Sequence, residues 1–190
     1  MSNADPALAW RALVEAASAP YRAADKFAWH FARGKLGGDP VFRHVLERGL
    51  IKPDSRVLDI GCGQGLLASL LAAAAQAARE GRWPSDWAEP PVDVRVSGIE
   101  LQAREVARAR EALGDGADIV CADMRSATFA PVDTIVLLDV LHYVSEAEQD
   151  AVLARARSLG LEPVTLPGAA LPERGADASP APDARRGEST

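Results

Sequence analysis

Up to Leu50 the apolar residues of this chain recur at helical spacing, and beyond it the period changes. Asp5-Pro6 reads as an N-cap with proline at the first helical position, and Leu8, Leu13 and Val14 fall on one face before Pro20 interrupts. A second helical stretch over Tyr21–Lys35 carries Phe27, Trp29 and Phe31 and is expected to stop at Gly37-Gly38. Asp39-Pro40 repeats the start signal for a third helix, with Val41, Val45, Leu46 and Leu50 at helical intervals. From Arg56 the pattern is strand and helix in alternation. Arg56–Ile60 is a short apolar strand that runs into Gly61-Cys-Gly-Gln-Gly65 and then a leucine- and alanine-rich helix over Leu66–Glu80. Gly81–Asp93, with its tryptophans and prolines, reads as a long loop. Val94–Ile99 predicts a second strand, Gln102–Leu113 a helix closed by Gly114, and Asp118–Cys121 a third strand. Asp133–Leu138 predicts a fourth, apolar enough to be buried on both faces, and Ser145-Glu-Ala-Glu148 is a capping box opening a helix that reaches Leu159. Strands alternating with helices predict an α/β fold with a doubly wound, mostly parallel sheet behind N-terminal helices.

The readable pattern ends near Gly160. Leu161–Thr190 holds five prolines and a polar end; Val164-Thr-Leu166 is at most a three-residue strand, and the rest reads as a disordered tail. The expected organisation is thus a helical segment over 1–52 covering a site, an α/β core over 53–160, and the tail from 161.

Composition narrows the partners. A net charge of −6 argues against nucleic acid, whose phosphates require a clustered basic surface. A small molecule or an acidic carrier protein stays open as a partner, as does a homo-oligomer. No run approaches the roughly 20 apolar residues of a membrane span, and Arg11 and Glu15 break up the alanine-rich start, which argues against a signal peptide. Cys62 and Cys121 lack the spacing of a metal or redox motif, so no metal is expected, and reduced thiols in a cytoplasmic protein are the simple reading.

A strand that ends in a glycine-rich turn and opens into a helix exposes free backbone N–H groups to a ligand. Val57-Leu-Asp-Ile-Gly-Cys-Gly-Gln-Gly65 resembles, at every position, the first motif of the class I (Rossmann-like) S-adenosylmethionine (SAM)-dependent methyltransferases. The resemblance implies that Asp59 and the loop residues Gly61, Cys62, Gly63 and Gly65 meet the methionine end of SAM. It implies that Glu100, in Gly98-Ile-Glu100, takes the ribose hydroxyls beside Leu101; a carboxylate accepts two hydrogen bonds side by side. Asp123 and Met124, in Ala122-Asp-Met124, become the adenine candidates. Leu138-Asp-Val-Leu-His-Tyr143 would lie beside the transferred methyl group. There Asp139 either orients the cofactor or substrate or only caps the turn, and His142 is either a general base or a packing imidazole. Tyr143 is the other catalytic candidate, with a role as pocket wall competing. Tyr21, Phe27, Trp29, His30 and Phe31 are candidates to cover the site or to pack against the sheet.

The resemblance implies methyl transfer to a small-molecule acceptor, with O-methylation of a phenol or carboxylate favoured; a SAM-binding module without turnover is the alternative. One departure is the interval of 35 residues from Gly65 to Glu100, where a Rossmann acid is expected after about 20; an insertion over Gly81–Asp93 accounts for it. Gly63-Gln-Gly65-Leu-Leu-Ala68 also satisfies a nicotinamide-dinucleotide fingerprint, a remote reading because Asp59 would then lie within the strand and the downstream acid too far away. The second departure is the missing fifth strand and closing hairpin after Leu159, as in a truncated or frame-shifted chain, which would leave the fourth strand at an edge.

Overall fold

The computed structural model describes residues 5–161 of the chain; the expected tail and the Val164–Leu166 strand lie outside the described residues. Four helices lead: α1 (Pro6–Ser18), α2 (Tyr21–Ala24), α3 (Lys26–Gly38) and α4 (Pro40–Glu47). The sheet then alternates with helices as β1 (Arg56–Ile60), α5 (Leu66–Arg79), β2 (Arg95–Glu100), α6 (Ala103–Leu113), β3 (Asp118–Cys121), β4 (Thr134–Val136) and α7 (Glu146–Ser158). All pairings are parallel and the order is β3-β2-β1-β4, so the chain reverses direction across the sheet between β3 and β4. That reversal marks the crevice where ligands of open α/β sheets bind.

Strand periodicity sorts the core into two layers. Val57 joins the layer built from α5 and the N-terminal helices, whereas Leu58 and Ile60 point to the opposite face with Ile99 and Val152 of α7. Asp133 ties the two central strands at their start. Its carboxylate accepts from the Arg56 backbone N–H at 2.8 Å and from the guanidinium at 3.0 and 3.1 Å, next to the Val57–Thr134 pair.

Local caps explain most boundaries. Asp5 accepts from the Ala7 N–H at 2.9 Å, Asp39 from Val41 at 3.0 Å, and Ser145 with Glu148 closes the expected capping box on α7. The loop over 81–93 is irregular as expected and well packed: Trp83 and Trp87 meet edge to face at 5.2 Å, and Trp87 is buried.

The structure departs from the sequence pattern in five places; one is that α4 ends at Glu47, so Leu50 lies beyond it in the connection to β1. The single helix expected over Tyr21–Lys35 is two, because Asp25 adopts an extended backbone and caps a new start, accepting from the Ala28 N–H at 2.6 Å. An aspartate inside an apolar helical pattern was the available signal. The helix α3 also continues through Gly37 and Gly38, ending only where Asp39 and Pro40 begin the next helix. Leu8 is 60% exposed, so the buried face of α1 is instead Trp10, Leu13, Val14 and Ala17. Finally, β4 covers only Thr134–Val136 and is partly rather than fully buried, because it forms an edge of the described sheet.

Candidate functional site

At the C-terminal ends of the strands lies an open cavity of about 890 Å³. The end of β1, the glycine turn, the ends of β2 and β3, the turn after β4 and one face of α3 all contribute to its wall. Every cofactor-binding and catalytic candidate named above lines it except Gly65: Asp59, Gly61, Cys62, Gly63, Glu100, Leu101, Asp123, Met124, Asp139, His142 and Tyr143. Residues that the sequence reading passed over also line it, among them Lys35, Phe42, Gln64, Arg104, Glu105 and Arg125.

Three glycines of the turn have positive φ, and each for a different reason. A Cβ on Gly61 would meet Val140 Cβ at 2.6 Å, so the turn after β4 can approach only a glycine there. On Gly65 it would meet Leu113 Cδ1 at 2.6 Å, which makes Gly65 a packing residue against α6. On Gly63 it would meet nothing within 4 Å, and this is the glycine that leaves room on the cavity side. Gly65 also stands at the N-cap of α5 without a side-chain cap, so the helix opens toward the turn with its first N–H groups unclaimed by a side chain.

Two carboxylates lie at the base of the turn. Glu100 is nearly buried; one of its oxygens accepts from the Gly63 N–H at 3.0 Å and the other from the Gln102 N–H at 2.7 Å. Asp59 is buried alongside, and its pKa rises to about 7, first because burial penalises the charge and then because Glu100 repels it. Burial likewise pushes the Cys62 thiol up, with Asp59 and Glu100 adding to the effect. Both cysteines are free, Cys62 buried and Cys121 exposed.

The outer wall is ion-paired. Arg125 grips Asp123 at 2.6 Å and also reaches Glu148 at 3.0 Å, and its hydrogen bonds hold the Asp123 carboxyl down at about 2. Lys35 bridges Asp39 at 2.8 Å and Asp139 at 2.6 Å. Burial opposes the charge on Lys35, but the hydrogen bonds it donates to Asp139 and Asp39 outweigh it and raise its pKa. Asp139 has φ of 51°, a left-handed backbone uncommon outside glycine. The rings of His142 and Tyr143 meet with centroids 4.1 Å apart and planes tilted by 39°, Tyr143 being 77% exposed.

The N-terminal segment reaches the site in two ways. Of the five aromatic and histidine residues considered as a cover, only Phe27 and Phe31 line the cavity. Tyr21 is fully buried and donates its hydroxyl to the Gln64 carbonyl at 2.9 Å, while the Gln64 amide donates to the Ala28 carbonyl at 3.2 Å. The glycine turn is therefore held against α2 and α3. Trp29 is half-buried, under the guanidinium of Arg22 and against His30.

Among the described residues no helix is long and apolar enough to cross a membrane, and no cluster of three or more histidine, cysteine or acidic residues is arranged to hold a metal.

A family model described as a methyltransferase domain matches residues 57–160, more than half of the chain. A curated relative, carboxy-S-adenosyl-L-methionine synthase of Chromohalobacter salexigens, is 32% identical over 124 residues, covering 63% of this chain and 40% of that protein. The chain thus spans less than half the length of that relative. Solved structures with similarity include an amino pentose methyltransferase from Micromonospora echinaspora, with 24% identity, 63% of this chain and 40% of that one covered, and a TM-score of 0.40. The magnesium protoporphyrin IX methyltransferase of Synechocystis PCC 6803 shows 22% identity, with 71% and 56% covered and a TM-score of 0.46. On the match over residues 57–160, the chain belongs to the methyltransferase-domain family.

Proposed function

We propose that this cavity binds S-adenosyl-L-methionine and that the chain transfers its methyl group to a small-molecule acceptor, with O-methylation of a phenol or carboxylate as the favoured chemistry. The observation that carries the reading is the buried Asp59–Glu100 pair under the open side of Gly63. A site that concentrates carboxylate where the backbone leaves space suits a ligand with cationic groups and a diol. Five acids line the cavity, Asp59, Glu100, Glu105, Asp123 and Asp139, against three strong bases, Lys35, Arg104 and Arg125. The same balance disfavours the pyrophosphate of a nicotinamide dinucleotide.

The residues fit the cofactor part by part. Glu100 has two oxygens to accept the ribose hydroxyls, and Leu101 and Met124 supply apolar surface for the adenine. Asp123 accepts from the adenine amino group while keeping Arg125. Asp59 and the backbone of Gly61, Cys62 and Gly63 receive the methionine end, with Gly65 setting the close approach of α6 that shapes the turn. Asp139 orients this end from the other side. When bound, the cofactor supplies the electrophilic methyl group and its leaving group. The protein holds the acceptor on line and excludes water. His142, at the rim beside Tyr143, takes the proton of a hydroxyl acceptor, and Tyr143 forms wall.

Calorimetric titration of the chain with SAM tests the first half, and S-adenosylhomocysteine formation with phenolic and carboxylate acceptors tests the second. Micromolar binding with product formation is expected. Binding without turnover on any acceptor would favour the non-catalytic SAM-binding module, and a folded chain that ignores SAM would refute the proposal.

A further inference from the structure

The six large apolar side chains that stay exposed among the described residues are not scattered. Phe27 at 60%, Phe31 at 45%, Leu101 at 64% and Tyr143 at 77% all line this same cavity; Leu8 and Val120 lie elsewhere. Isolated exposed apolar residues need no explanation, but their convergence on a concave site does. Phe27, Phe31 and Lys35 stand at intervals of four on α3, so one face of that helix forms the wall. The two phenylalanine rings are nearly parallel, 14° apart in plane with centroids 6.2 Å apart.

Phe27 is also held in place. The Arg108 guanidinium sits 5.0 Å from its ring centre, and Arg108 is itself fixed by Asp25 and Glu105, each at 2.9 Å. An aromatic ring locked in position yet left open to the cavity is arranged to receive a ligand at low ordering cost.

The charges around this wall are already matched. Lys35 is shared by Asp39 and Asp139, Arg104 pairs with Glu105 at 3.3 Å, and Arg125 is shared by Asp123 and Glu148. An anionic acceptor would have to displace a carboxylate from one of these cations and then lie among the remaining acids. An uncharged acceptor faces no such cost.

We infer that the Phe27–Phe31 face of α3 is the acceptor subsite, and that it takes an uncharged molecule with a planar aromatic body. This rests on the reading of the cavity as a methyl-transfer site, and within it selects a phenol over a carboxylate.

Binding of 2-naphthol and of its anionic counterpart 2-naphthoate, each measured with and without S-adenosylhomocysteine, tests the assignment. Naphthol should bind at least about tenfold more tightly than naphthoate. Phe27→Ala and Phe31→Ala should each weaken naphthol about tenfold, the loss expected for a buried aromatic contact. S-adenosylhomocysteine affinity should stay within about twofold, a change below about 0.4 kcal/mol, because the two rings belong to the acceptor side. Both positions are exposed, so the variants should fold, and Phe31→Leu, which keeps bulk but not the ring, should fall between. Equal or tighter naphthoate binding would overturn the inference, as would naphthol binding that ignores both alanine variants. Equal losses for naphthol and S-adenosylhomocysteine would also overturn it, since the rings would then cover the cofactor. If the wild type ignored S-adenosylhomocysteine, the methyl-transfer reading would fail, while the naphthol titrations without it would still decide whether this face takes an uncharged aromatic.

Discussion

The backbone N–H of Gly63 donates to the Glu100 carboxylate at 3.0 Å, across an interval of 37 residues. This bond joins the turn after β1 to the end of β2, so the acid that the proposed ribose needs also holds the loop that needs to admit it. Removing the acid therefore has two consequences, a lost acceptor and a freed loop. Glu100→Ala is expected to weaken SAM binding by about 10- to 100-fold, the range for a hydrogen bond to a charged group. Calorimetry reads the affinity and circular dichroism the fold; an unchanged dissociation constant would remove Glu100 from the site.

The three glycines of the turn should separate by cause. Alanine at any of them meets a left-handed backbone, at about 1–2 kcal/mol. Gly61→Ala adds a collision with the Val140 Cβ, for about 1–3 kcal/mol more, and Gly65→Ala presses on the more yielding end of Leu113. Gly63→Ala has open space. Thermal stability should therefore fall most for Gly61→Ala and least for Gly63→Ala, while Gly63→Val should damage SAM affinity out of proportion to its effect on melting. Equal stability losses at the three positions would contradict these packing assignments.

Asp59 keeps its proton to about pH 7 in the folded chain, against 3.8 ordinarily. Between those values the folded state binds a proton that the unfolded state has released. Stability from this group is full below 3.8, declines as pH rises, and levels off above about 7, a change on the order of a few kcal/mol. Asp123 and Asp133, both held down to about 2 by arginine partners, act in the opposite sense and only in stronger acid. Denaturant melts from pH 4.5 to 8 should show the decline in the wild type and a flatter profile in Asp59→Asn. The same slope in both would assign it to another group.

A cationic ligand beside Asp59 should draw its pKa back down. SAM affinity is then expected to increase as pH rises toward 7, with up to one proton released per ligand near pH 6. Calorimetry in buffers of different ionisation enthalpy measures that proton directly. Proton uptake would contradict the placement of positive charge near Asp59.

The N-terminal helices should matter to the turn through Tyr21. Tyr21→Phe removes the hydroxyl from the buried Gln64 carbonyl and is expected to cost about 1–3 kcal/mol, the penalty for an unsatisfied buried acceptor. Hydrogen exchange should quicken in the glycine turn as well as in α2. Acceleration confined to α2 would mean that the turn stands without that support.

Much of this molecule was legible in its sequence because it rests on short-range physics. The caps at Asp5, Asp39 and Ser145 act within three residues, and the bounds of β1 follow from an apolar run ending in glycine. The motif residues also came together, since the sheet places Asp59, Glu100, Asp123 and Asp139 at strand ends around one cavity. The apolar pattern continues across Asp25 and hides the break there, while the aspartate's own backbone geometry and the bond it accepts from the Ala28 N–H decide the cap.

What the sequence by itself determined was the alternation of strand and helix, and with it the side of the sheet that carries the cavity. Periodicity and glycine placement act through neighbouring residues, so they survive without knowledge of the whole. Only the tertiary structure decided that Gly65 packs rather than lines, that Lys35 of α3 meets Asp139 over an interval of 104 residues, and that Phe27 and Phe31 face the cavity. Those outcomes depend on where α3 lies across the sheet. That position is set by buried links such as Tyr21 to Gln64 and Ser69 to Ala17, whose partners no local pattern announces.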